Sequence, residues 1–314
     1  MRKPKLVISK CLNSEKCRYD GCGYNDKVIS LLKGFVDIET ICPENAIGLP
    51  IPRDPIHIEK HNDTYKLIQL NSNIDYTNQM TEFAEEFLNI SNDIDGFILK
   101  SKSPSCGIND VKIYPQSQKC SIKKNGTGIF SSKVIEKYSN VPIENEGRLK
   151  NYNIRHEFFT KIFLINNLKS ENNILNFHNK NLLLLKSYSK EITKELSNIL
   201  NKPNLNNKDI NLYKSKVYEI LKSKRNKNSN LSIAKDIFEK YKNNLNIDEI
   251  NYFENLSNLY KEGQIPFSSI MIALHMYVIR FNDKELLNQT FFNPYPESLI
   301  SASDSGKGKN SYEL

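Results

Sequence analysis

No hydrophobic run in these 314 residues approaches the roughly 18–20 that a membrane helix needs. The opening MRKPK is followed only by LVIS, without the apolar stretch and cleavage site of a secretory signal. These two absences predict a cytoplasmic protein with no membrane association. Cysteine is scarce as well. Six in a chain of this length are too few for a disulfide framework, so they are expected to be buried, catalytic or metal-binding. There is no Cys-x-x-Cys knuckle, the usual signature of a structural zinc. Glycine and proline are rare in the second half, where they sit at boundaries such as residues 263–266, and no internal repeat is found.

What is present describes a globular chain long enough for two domains, with 39% hydrophobic and 25% charged residues. The net charge of +8 is unevenly distributed. Residues 1–146 carry 19 basic and 19 acidic side chains, whereas the remainder carries 25 against 17. A basic second half fits either a polyanionic partner such as tRNA or a lysine-rich solvated surface. No stacked aromatic platform or helix-turn-helix spacing accompanies it.

The first half alternates strand-like and helix-like segments. Residues 6–9, 35–41 and 96–99 are short apolar runs with strand character. Helical spacing is found over 25–33, 77–89 and 128–138. Residues 47–55, with three prolines, predict an extended loop, and 56–60 with 65–70 a small hairpin around His61-Asn62-Asp63. The order strand, helix, strand, helix, strand predicts an α/β, Rossmann-like domain with a parallel sheet. From Tyr152 the period becomes helical and stays so, through 177–200, 208–223, 231–243, 248–261 and 267–281, which predicts an all-α bundle. The expected domains are residues 1–146 and 147–300, with 301–314 as a disordered tail.

All six cysteines lie in the first 120 residues. Cys11 follows the first strand, Cys42 ends the second, and Cys106 lies in the loop after the third. In an open parallel sheet, ligands bind beyond the carboxyl ends of the strands, so these three thiols are expected to meet there. Thiolates are soft ligands, suited to iron–sulfur clusters or zinc. Three separated ligands point to a cluster held at three corners, the alternative being three small buried hydrophobes.

Three segments carry a resemblance: ISKCLNSEKCRYDG (8–21), CPENAIGLPIPR (42–53) and LKSKSPSCG (99–107). Together they resemble the motifs of the TudS-type thiouracil desulfidase family, over roughly residues 4–145. FHNKNLLLL (177–185), GQIPF (263–267) and FNPYPESL (292–299) resemble the YbgA-like helical domain, although Asn181 and Tyr188 stand where that domain more often has histidines. The first resemblance implies a 4Fe–4S cluster on Cys11, Cys42 and Cys106, with one iron lacking a protein ligand. It also implies desulfuration, without net redox change, of a small thiolated base or nucleoside.

Such chemistry needs a proton shuttle. Glu44, two residues after Cys42, is the candidate base, the alternative being a helix cap or a pair with Arg53. Ser103 is a candidate for orienting water or substrate, against simple turn chemistry. Gly107 is expected to bring backbone N–H groups up to the cluster. Arg53 offers a contact to a phosphate or ring oxygen, or a structural ion pair. Arg18 and Asp20 are expected to pair with each other. Cys17 or Cys22, the latter where the family more often has glycine, is a possible fourth ligand. Cys120 reads as a surface thiol, and His57, His61, His156 and His275 as ordinary histidines. A second functional reading is an iron–sulfur redox sensor whose basic helical domain binds nucleic acid. A fourth cysteine ligand would favour it. A third leaves the helical half as a packing or dimerisation element.

Overall fold

The computed structural model describes residues 2–116, 123–223, 225 and 227–300. Cys120 and the tail at 301–314 lie outside the described residues. Those up to 166, with 298–300, pack as one unit, and those from 167 to 297 as another.

The first unit runs β1 (Lys5–Ser9), α1 (Lys27–Leu32), β2 (Asp37–Ile41), the single turn α2 (Pro43–Ala46), β3 (Ile56–His61) and β4 (Thr64–Gln69). It continues through α3 (Thr77–Ile90), β5 (Gly96–Leu99), β6 (Val111–Pro115), β7 (Lys123–Gly126), α4 (Ile129–Lys137) and β8 (Ile143–Asn145) into α5 (Tyr152–Ser170). A four-stranded, all-parallel sheet has the order β2-β1-β5-β8. Residues 6–9 and all of β5 are buried, as parallel strands covered on both faces must be. The chain passes from β1 outward to β2, then returns to set β5 on the other flank of β1. Strand order therefore reverses between β1 and β5, at the switch point where open α/β sheets bind ligands. The expected fold class, α/β with a parallel sheet, is the one found.

A second sheet, β4-β3-β6-β7, goes beyond the sequence reading. The anticipated hairpin is β3 with β4, in antiparallel register from Ile56↔Gln69 to His61↔Thr64. Strands β6, β7 and β8 were not anticipated. The Val111-Lys112-Ile113 alternation carries a strand period that identifies β6 in retrospect. The segment KKNG of β7 has no apolar signature, and it is a strand because β6 offers it an edge. Val7, Phe97 and Leu99 of the first sheet, Ile58, Leu67, Val111 and Ile113 of the second, and Met80, Phe87, Phe130 and Val134 of α3 and α4 form one core, which Cys106 joins.

The second unit is helical: α6 (Ile174–Tyr188), α7 (Lys190–Leu200), α8 (Asn207–Lys222), α9 (Lys227–Glu239), α10 (Ile247–Lys261), α11 (Phe267–Arg280) and the short α12 (Lys284–Leu287). Helix α6 packs on α7, α8 and α9, and α9 in turn on α10 and α11. The single helix expected over 177–200 is two. Ser189 takes extended backbone, and its hydroxyl accepts from Ile192 N at 3.2 Å, so it caps α7 while ending α6. Among the described residues, no helix is long and apolar enough to cross a membrane.

Candidate active site

Three of the four strands of the parallel sheet, β1, β2 and β5, are followed at its carboxyl edge by a loop that delivers a cysteine. Cys11 sits in a single turn of 3-10 helix directly after β1. Its carbonyl accepts from Tyr24 N at 2.8 Å, and Ser14 N donates to Tyr24 O at 3.2 Å. Residues 12–23 are thereby closed into a loop that returns Cys17 to the sheet edge. Cys42 is the residue before α2, and Pro43 opens that helix, its fixed φ suited to a first turn. Cys106 ends a tight turn in which Ser103 Oγ accepts from Ser105 N at 3.2 Å and Cys106 N at 3.1 Å.

The turn bearing Cys106 is gripped from behind by the N-terminus of α4. N–H groups at a helix start have no partner within the helix, and here they take the carbonyls of the cysteine loop. Gly128 N donates to Gly107 O at 2.8 Å, Ile129 N to Pro104 O at 3.1 Å and Ser131 N to Ser105 O at 3.1 Å, while Ser131 Oγ adds a bond to Gly107 O. Gly107 is hydrogen-bonded at both its amide and its carbonyl. Its N–H is spent on Ser103 O at 2.8 Å, and its missing side chain answers to crowding, since a Cβ would stand 2.4 Å from Val111.

Four thiols meet at this edge. Cys17 is buried and within hydrogen-bonding reach of both Cys11 and Cys42, and Cys42 Sγ also lies 3.7 Å from Cys17 O. Cys106 reaches Ser9 and Ser103 and feels the charges of Glu44 and Cys42. Its burial pushes the thiol up to about 12. The hydrogen bond to Cys11 raises Cys17, which reaches about 11 with the help of burial although Cys42 pulls the other way. Cys42 is raised further, by its bond to Cys17 and by burial. Cys22 is exposed, and Arg18 pairs with Asp20 at 3.2 Å.

Glu44 lies between the loops. Its Oε1 accepts from Ser105 Oγ at 3.0 Å and Ser103 Oγ at 3.4 Å, and its Oε2 from Arg53 Nε at 2.9 Å and from Arg53 Nη2. Ser103 makes the expected turn bonds, and its longer contact is to Glu44. Sequence reasoning missed Ser105, the second serine of Ser-Pro-Ser, and Ser9. Ser9 Oγ accepts from Lys100 N at 2.9 Å and so ties the end of β1 to the end of β5.

The histidines have partners of their own. His57 and His61 share the two oxygens of Glu59 at 2.8 and 2.9 Å. His178 is buried between Tyr213 Oη and Ser197 Oγ at 3.0 and 3.1 Å. Both arrangements have the character of structural histidines.

Among the described residues, no three histidine, cysteine or carboxylate side chains are gathered tightly enough for a single metal ion. A cluster takes its thiolates at separate corners. Free, soft, largely buried donors lining one sheet edge are a donor set that fits it.

Fold and site thus define an α/β domain whose parallel sheet gathers thiols at its carboxyl edge, by the switch point. Residues 6–146 match the family profile described as 2-thiouracil desulfurase, and residues 182–296 match that of a protein of unknown function, DUF1722. The uncharacterized protein YbbK of Bacillus subtilis (strain 168) is 30% identical over 149 residues, covering 45% of this chain and 96% of its own. The solved [4Fe-4S]-dependent thiouracil desulfidase TudS is 26% identical over 47% of this chain and 93% of its own, with a TM-score of 0.39. The chain belongs to the 2-thiouracil desulfurase family, a family of desulfidase enzymes, and carries a YbgA-like DUF1722 segment in its helical half.

Proposed function

We propose that the chain is a cytoplasmic 4Fe–4S-dependent desulfidase acting on a thiolated pyrimidine or a similar thiocarbonyl compound, with Cys11, Cys42 and Cys106 holding the cluster. Residues 1–146 form the catalytic domain in this reading, and 147–300 the helical one. When bound, a cluster with one iron free of protein ligands supplies Lewis acidity toward a thiocarbonyl sulfur. The balanced reaction is thiocarbonyl plus water to carbonyl plus hydrogen sulfide, with no electrons exchanged. Glu44 Oε1 takes a proton from the attacking water and returns it to the departing sulfur, which a fixed carboxylate can do. Ser105 and Ser103 each spend their single O–H on keeping that oxygen aimed. Burial of the edge excludes bulk water and strengthens these contacts.

The observation that carries this reading is the position of Glu44, clasped by Ser103 and Ser105 beside Cys42 and Cys106. The test is anaerobic purification, with iron and sulfide analysis, followed by addition of 2-thiouracil. About four irons per chain are expected, together with release of uracil and sulfide. Glu44→Gln should keep the iron and lose about 10²–10⁴-fold in turnover. Full iron loading without sulfide release from any thiolated pyrimidine would defeat the proposal.

One observation favours the second reading, a redox sensor with a nucleic-acid-binding helical domain. Cys17 stands where a fourth ligand could close the cluster. Retention of about four irons in Cys17→Ala would remove that support.

A further inference from the structure

We infer that Arg53 is a positioning residue, which fixes the Glu44 carboxylate against the loop carrying Cys17 and does not itself touch substrate. The inference rests on the proposed role of Glu44.

A guanidinium has five N–H donors in a rigid plane, and all five are committed here. Nε and Nη2 donate to Glu44 Oε2. Nη1 and Nη2 donate to Cys17 O, each at 3.1 Å, and Nη1 also reaches Pro50 O at 3.3 Å. The side chain is 2% exposed. No donor is left for a phosphate or ring oxygen, which removes one of the two roles open to Arg53 from the sequence. Its own backbone is anchored as well, Arg53 N donating to Tyr19 O at 2.9 Å.

The consequence falls on Glu44. One carboxylate oxygen is held on the guanidinium plane, so the other can face only the serines of the Cys106 turn. Arg53 thereby joins the loops after β1 and β2, and through Glu44 also the loop after β5. Stability alone gives little reason to keep such a group, since a buried ion pair is often no more stable than an apolar replacement. Lysine cannot substitute, because one ammonium does not reproduce the planar fork.

The test uses the full-length, cluster-loaded chain and a double-mutant cycle of Arg53→Lys, Glu44→Gln and the pair. Circular dichroism and iron content come first. We expect Arg53→Lys to fold and load iron, and to lose about 10–100-fold in kcat with KM nearly unchanged, as a small misplacement of a catalytic group does. The double variant should fall no further than Glu44→Gln alone. Wild-type kcat in Arg53→Lys, loss of its iron, or singles whose effects multiply in the double variant would each overturn the inference. Absence of turnover in loaded wild type would count against the desulfidase reading alone. The position of Glu44 is then read from the infrared carboxylate band obtained as wild type minus Glu44→Gln. That band should move in Arg53→Lys, and an unmoved band would overturn the inference independently.

Discussion

Replacing Gly128 by alanine tests how the Cys106 turn is held. Gly128 has φ −68° and ψ 156°, a conformation alanine adopts freely, so any effect is steric. A Cβ there would stand 2.4 Å from Ser105 O and 2.9 Å from Pro104 O. Both are backbone atoms, so no side-chain rotation relieves the overlap, and the turn must draw away from α4. Three backbone bonds cross that gap: Gly128 N to Gly107 O, Ile129 N to Pro104 O and Ser131 N to Ser105 O. Each contributes about 0.5–1.5 kcal/mol, so weakening all three predicts a loss of about 2–4 kcal/mol. The assay is urea unfolding of the full chain, with the first transition followed by far-UV circular dichroism. Ser132→Ala, an exposed site on the same helix, is the control and should stay within about 0.5 kcal/mol. Because the displaced turn carries Cys106, reconstituted Gly128→Ala should also bind less iron than wild type. Unchanged stability together with unchanged iron would refute the steric account.

Three further outcomes follow from other parts of the molecule. Cys22 is exposed on its turn, so Cys22→Ser should leave iron content at the wild-type level, whereas serine at Cys11, Cys42 or Cys106 should lower it; loss of iron in Cys22→Ser would reassign the ligands. Burial, helped by Lys186, holds His178 below its usual value of 6.5, so the unfolded chain takes up the proton first as pH falls. Stability from this group is complete above about pH 6.5 and declines below it, and His178→Asn should flatten the slope of unfolding free energy between about pH 7 and 5. An unchanged slope would locate the titration elsewhere. Gln289 is buried and bridges α6, with Nε2 donating to Asn179 O at 2.6 Å and Oε1 accepting from Leu183 N at 3.2 Å. Gln289→Ala should cost about 1–3 kcal/mol in chemical denaturation, and no measurable loss would mean that water replaces the amide.

Much of the architecture is a local property and could be read directly. The buried run LVIS, the apolar β5 and the helical period after Tyr152 depend on neighbours a few residues away. So does the position of Cys11, Cys42 and Cys106 relative to the ends of their strands. The motifs around those cysteines also sufficed to indicate the family. Strand β7 escaped because KKNG becomes a strand only through the edge of β6. The two helices over 174–200 escaped because apolar spacing runs straight through Ser189, whose hydroxyl settles the break.

Within the site, the chain's one-dimensional order determined which residue types were at hand, and tertiary structure decided which of them meet. Nothing in the spacing of Cys17 brings its thiol to Cys11 and Cys42. The return of its loop, pinned by Tyr24 N on Cys11 O and by Arg53 on Cys17 O, does so. Glu44 had an open choice between capping, pairing and catalysis until the fold set Arg53 on one oxygen and two serines on the other. Contacts between residues 36, 59 or 61 positions apart depend on loop closure and strand order, which no short window of sequence contains.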